Sequence, residues 1–232
     1  MRNKLTIFLA VIAVLSLASN AWSQNPITAD SVFQIRYAAN LNIGDSFVNI
    51  TNSGASAGNI CANVYVFDPA EEMISCCSCT VTPNALVSLS ARNDLISNTL
   101  TPGVPTSIVI KLLSSTGACN PSNPATLAPG LLAWGSTIHP QVTTTSTPNT
   151  NSTCIKYCSG SYPQYASWCQ QNCQPKTTTT TTYTTTETQF SPATLSASEL
   201  TKLTTFCGFI QANGSGFGIC RSCRQGAQSP QQ

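Results

Sequence analysis

Twelve cysteines in 232 residues, all of them beyond an export-type leader, constrain this chain more than any other feature. In an oxidising compartment thiols pair, so the expected fold is one held by disulfides, in which strands and loops bring distant cysteines within bonding reach. They divide into eight (Cys61, Cys76, Cys77, Cys79, Cys119, Cys207, Cys220, Cys223) and four (Cys154, Cys158, Cys169, Cys173), both even sets. Eight cysteines admit on the order of a hundred pairings, so the connectivity of the larger set stays open.

The leader itself reads Met1-Arg2-Asn3-Lys4, then the mostly apolar run Leu5 to Leu17, then Ala18 to Ser23, which are the charged, apolar and small-residue regions of a signal peptide over 1–23. The apolar run is shorter than the roughly 18 to 20 residues a membrane span requires. No cysteine follows it to accept a lipid, and 224–232 form a polar tail expected to be disordered. The mature chain is therefore expected to be secreted, extracellular or periplasmic, without membrane insertion. Only 8% of the chain is charged, and loss of Arg2 and Lys4 leaves eight basic against eight acidic residues. A nucleic-acid partner would need a basic surface, which this balance excludes.

Strand-length runs with period two begin at Val32. Phe33, Ile35 and Tyr37 alternate with Gln34 and Arg36; Val48 and Ile50 lie in Ser46 to Asn52; Ile60, Ala62, Val64 and Val66 share one face of Asn59 to Phe67. Met73 to Val81, Val87 with Leu89, Ser107 to Leu113 and Leu131 to Ile138 continue the pattern, with turn signals at Ser53-Gly54, Asp68-Pro69, Pro83-Asn84 and Pro102-Gly103. About seven such strands predict a mainly β fold, a disulfide-stapled antiparallel sandwich of immunoglobulin-like architecture. Ser196 and Glu199 form a capping box, and Leu200, Leu203, Phe206, Cys207 and Ile210 recur at helical spacing, so one C-terminal helix is expected to lay this stripe on the sheet and end at Gly214. The core is thus expected over 30–140 plus 190–223. Two threonine-rich stretches, Thr143 to Thr153 and Thr177 to Thr188, read as linkers within 143–188; the second has a strand as its alternative, since threonine is β-branched.

The stretches Asp68 to Cys79, Thr82 to Ser90 and Ser191 to Cys220 resemble a group of uncharacterised secreted bacterial proteins, over roughly 30–140 and 190–223. The resemblance implies export and a shared core, and it carries no activity. The four-cysteine segment 151–176 has the spacing Cys154-x3-Cys158-x10-Cys169-x3-Cys173, which sets each pair on one helical face and predicts a stapled helical hairpin. That spacing is similar to the α-hairpinin scaffold of small defence peptides, which implies bridges Cys154 to Cys173 and Cys158 to Cys169.

Chemistry-bearing residues are few. Cys76-Cys77-x-Cys79 and Cys220-x2-Cys223 would suit zinc or thiol exchange, but a strand turns Cys76 away from Cys77 and Cys79, and structural disulfides are the expectation. Asp68, Glu71 and Glu72 read as a solvated turn, and His139, the sole histidine, as a surface residue at a strand end. No catalytic residue, cofactor or metal is expected. Tyr157, Tyr162, Tyr165 and Trp168 crowd the hairpin, either as its miniature core or as a face for an extracellular glycan or surface protein. The chain thus reads as a non-catalytic structural or adhesive protein. A binding module using these aromatics, and a thiol redox or metal protein, are the alternatives.

Overall fold

The computed structural model describes residues 32–97, 101–158, 163–213 and 218–223. The expected signal peptide, Tyr162, Gly214 and the tail 224–232 lie outside the described residues. Six strands form one sheet in the order β10-β4-β3-β6-β1-β9, built from β1 (Phe33–Ala39), β3 (Ile60–Phe67), β4 (Met73–Val81), β6 (Ser107–Ser115), β9 (Ser191–Pro192) and β10 (Gly218–Ile219). The second sheet, β5-β2-β7-β8, is built from β2 (Phe47–Asn52), β5 (Leu86–Ser90), β7 (Leu131–Thr147) and β8 (Lys176–Gln189). Among the described residues the α-helices are α1 (Ser152–Cys158), α2 (Ala166–Asn172) and α3 (Ala197–Ala212). All pairings between strands are antiparallel except the short contact of β10 with β4.

This is the two-sheet sandwich that the alternating strands predict, with a connectivity of its own. In an immunoglobulin domain the first strand lies in the sheet of the second, and the seventh beside the sixth. Here β1 lies beside β6 and β7 beside β2, so the first and seventh strands have exchanged sheets.

Two apolar layers result. Between the sheets, Val64, Val66, Ile110 and Leu112 meet Val48, Ile50, Leu89 and Leu131. On the outer face of the larger sheet, Phe33, Tyr65 and Leu113 meet Leu203, Cys207 and Ile210 of α3. Strand β3 is consequently buried along nearly its whole length, because one face looks into the sandwich and the other under the helix. Tyr65 is fully buried there and donates its hydroxyl to the Pro121 carbonyl at 2.7 Å; burial drives its pKa well above the ordinary phenol range. Helix α3 begins as its capping box predicts, with Ser196 Oγ accepting from the Glu199 amide at 3.1 Å. Leu203, Cys207 and Ile210 are buried, whereas Phe206, expected in the same stripe, is 48% exposed, because at 100° per residue it falls to the flank of the narrow contact line.

Strand β1 departs from its sequence pattern. Its Phe33 and Ile35 face α3 and Tyr37 is exposed, while the polar Gln34 and Arg36 of the other face point between the sheets. Gln34 Nε2 donates to the Leu131 carbonyl at 2.7 Å. Arg36 is 5% exposed, and its Nη2 donates to the Gly135 carbonyl and Thr137 Oγ1, each at 2.8 Å, while Nε reaches Thr188 Oγ1 at 3.3 Å. Glycine at 135 makes the room: an added Cβ would lie 2.7 Å from the Phe47 carbonyl oxygen and 2.9 Å from the guanidinium carbon. Gly135→Ala is therefore expected to destabilise the protein by about 1 to 3 kcal/mol, read as a lowered midpoint in chemical denaturation. A variant within 0.5 kcal/mol of the parent, the ordinary scatter of harmless surface changes, would contradict this packing.

The threonine-rich stretches are corrected most. Instead of linkers, Thr143–Thr147 and Thr177–Thr188 are arms of a two-stranded ribbon, the second taking its strand alternative: β7 runs on past Ile138 to Thr147 and pairs with β8 without interruption from Trp134↔Gln189 to Thr147↔Lys176. Neither glycine nor proline breaks β8, so each arm satisfies the other's backbone groups, and the β-branched side chains suit the extended form. Every residue of β8 is exposed. Beyond Gly135, where pairing with β2 ends, the ribbon continues for about 12 residues, or roughly 40 Å at 3.3 Å per residue.

Candidate functional site

All twelve cysteines are paired. On β4 the alternation expected of a strand is realised: Cys76 faces outward and bonds Cys207 on α3, while Cys77 and Cys79 face the sandwich and bond Cys220 and Cys223. One strand is thereby bolted through both faces, to the helix on one side and to the C-terminal turn on the other. Cys61–Cys119 ties β3 to the loop after β6. The Cys220-x2-Cys223 pair bonds two different partners and not itself, so the arrangement is that of staples and leaves no dithiol for exchange or metal binding. Asp94 fixes the same turn, accepting from the Ser222 amide at 2.9 Å and Oγ at 2.8 Å and from the Ser90 amide at 2.7 Å.

At the far end of the ribbon sits the four-cysteine hairpin. Asn151 Oδ1 accepts from the Thr153 amide at 2.9 Å and its carbonyl accepts from the Ile155 amide, which starts α1. A tight turn over Pro163–Tyr165 leads into α2. The bridges are Cys154–Cys173 and Cys158–Cys169, the pairing the α-hairpinin resemblance implies. Three of these sulfurs, on Cys158, Cys169 and Cys173, lie within 4.8 Å of one another, but each is already bonded to sulfur, so the cluster offers no thiolate to an ion.

Only Cys154 is buried in the described part of this hairpin, so its aromatics form no enclosed core. Tyr157 and Tyr165 come together, ring centroids 4.9 Å apart at 45°, and Lys156 Nζ lies 5.2 Å from the Tyr157 ring. Trp168 follows Tyr165 by three residues, and both are 38% exposed; Ile155 is 54% exposed. The structure thus brings Tyr157 and Tyr165 together with Trp168 one helical turn on, beside a cation. Such a surface offers stacking planes, one ammonium and amide donors, a chemistry suited to sugar rings or to an aromatic or acidic protein segment.

The other sequence candidates lie away from the hairpin cysteines and aromatics. Asp68 Oδ1 accepts from the Ala70 and Glu72 amides at 2.9 and 3.0 Å, closing the β3–β4 turn, with Glu71 in the left-handed region at φ 65°. His139 lies within the ribbon rather than at a strand end, exposed, its Nε2 2.8 Å from Thr186 Oγ1.

A groove of ≈ 390 Å³ beside α3 takes in part of that acidic turn: Asp68 and Glu71 line it together with Phe67, Val109, Lys111, Glu199, Lys202, Leu203 and Phe206. Lys111 pairs with Glu199 and sits 4.6 Å over the Phe67 ring. These residues come from β3, the turn after it, β6 and α3, so only the folded chain assembles them; the sequence singled out Asp68 and Glu71 of the turn but not their meeting with Lys111, Glu199 and Phe206. Among the described residues no helix is long and apolar enough to cross a membrane. Compared with known proteins, the chain matches no family model, no curated protein and no solved structure.

Proposed function

We propose that this is an exported, non-catalytic protein with a structural or adhesive role, in which the sandwich is the base, the ribbon a spacer and the stapled hairpin the part that makes contact. One observation carries the proposal: an aromatic cluster, locked by its own two bridges, is mounted at the end of a ribbon whose exposed part, from His139 to Thr147 on β7, runs for roughly 30 Å of chain at 3.3 Å per residue. A residue set needed only for stability would sit against the core; this one is held away from it. Six disulfides suit an oxidising environment, and the leader-like segment 1–23 supports export.

The favoured ligand is an extracellular glycan or surface protein gripped by Tyr157, Tyr165 and Trp168. On a glycan array, or against extracellular protein fractions, the oxidised protein is expected to bind. Trp168→Ala and Tyr165→Ala are each expected to weaken that binding about tenfold, which corresponds to about 1.4 kcal/mol of lost stacking. Binding indifferent to both substitutions but abolished by Phe206→Ala would move the contact to the groove beside α3. Turnover of a substrate by the intact protein in a broad hydrolase or oxidoreductase screen would overturn the non-catalytic reading.

A further inference from the structure

Strand β8 is the outermost strand of its sheet, and among the described residues nothing pairs with its outer edge. Monomeric proteins blunt such edges with proline, bulges, brevity or central charge. β8 has none of these. It is 14 residues long, its ladder with β7 is unbroken, and its two charges, Lys176 and Glu187, stand near opposite ends. The ribbon's other edge is different. Pro140 lies inside the unbroken β7–β8 ladder, where a proline fits only if its missing N–H falls on the outer side, so the free edge of β7 is interrupted and that of β8 is not. The ribbon also lacks a covering layer, and two strands alone are marginally stable in water.

We propose that β8 pairs with β8 of a second copy of this chain, antiparallel across a two-fold axis, converting two ribbons into one four-stranded sheet. The occupant follows from the edge itself. In-register parallel pairing would set Lys176 beside Lys176 and Glu187 beside Glu187, a like-charge opposition that antiparallel pairing about Thr182 avoids. The near-uniform threonine run presents the same side chain in either direction, so self-pairing meets no mismatch. With the axis at Thr182, the exposed patch formed on one face by Val142, Thr181 and Tyr183 continues across the joint, each Tyr183 diagonal to its mate.

The test is sedimentation velocity of the purified, oxidised protein from roughly 1 μM to 1 mM, a range spanning weak and transient associations. The expected result is a rise from one to two chain masses, accompanied at high concentration by protection from hydrogen exchange at alternate amides of Thr177–Thr186, those facing away from β7. The variant Thr178→Lys, Thr180→Lys, Thr182→Lys places like charges opposite one another across the axis and is expected to weaken dimerisation at least about tenfold. A single chain mass throughout, a dimer whose outward β8 amides exchange at the free rate, or a lysine variant that dimerises as tightly as the parent would each overturn the proposal. The exchange measurement on the parent protein decides even where the variant fails to fold.

Discussion

Replacing Cys76 and Cys207 together by alanine is expected to lower stability by about 3 kcal/mol, although the bridge spans 131 residues and a lone loop of that size would be worth nearly 5. The reason is nesting. Cys77–Cys220 spans 143 residues and starts one residue away, so with it intact the additional loop closed by Cys76–Cys207 runs only from Cys207 to Cys220, roughly a dozen residues. The loss should be local as well: α3 amides should exchange faster while those of β2 and β5, in the opposite sheet, keep their protection. Guanidinium unfolding measures the first expectation and native-state hydrogen exchange the second. A change under about 1 kcal/mol, or loosening spread evenly over both sheets, would mean that the helix is held by its apolar contacts and not by the bridge.

Arg36→Ala is expected to cost about 3 to 5 kcal/mol, and Arg36→Met distinctly less. Arg36 crosses from the larger sheet to carbonyl and hydroxyl acceptors on β7 and β8, meets no carboxylate among the described residues, and leaves Nη1 without a partner. Burial alone depresses its pKa, the mark of a cation held where charge is disfavoured. Alanine would abandon its acceptors and open a void between the sheets; methionine would fill much of the space and remove the desolvated charge, a type of exchange that is often neutral in proteins. Equilibrium denaturation of both variants checks the order. An alanine variant as stable as the methionine one would show that the space around residue 36 collapses freely.

The same arginine shows where the sequence ceased to be informative. Period two in β1 identifies a strand and separates Phe33 and Ile35 from Gln34 and Arg36, but it cannot say that both faces are covered, one by a helix arriving some 160 residues later and one by the opposite sheet. For β3 the apolar face Ile60, Ala62, Val64 and Val66 was legible because nothing polar competes on it. On β4 the alternation of Cys76 against Cys77 and Cys79 was legible for the simplest reason, that a strand has only two sides. The threonine run of β8 was not: identical residues have no period, and the information that makes it a strand lies in its partner, β7. Of the candidate contact surface, the helical hairpin followed from cysteine spacing, and its bridges are those the α-hairpinin resemblance implies. The clustering of Tyr157 with Tyr165 required the turn, and the groove at Phe206 required three elements to meet.

The double bolting of β4 also sets a clock. Cys76, Cys77 and Cys79 are made 131 to 144 residues before the cysteines they bond, a delay on the order of ten seconds at ordinary rates of synthesis. Throughout that interval three neighbouring thiols on one strand have only wrong partners: one another, Cys61, then Cys119 and the four hairpin cysteines as they are made. Native pairing therefore has to wait for the last stretch of chain, and the protein's yield in any host is governed less by the strength of its sandwich than by the presence of a disulfide isomerase able to undo early mistakes.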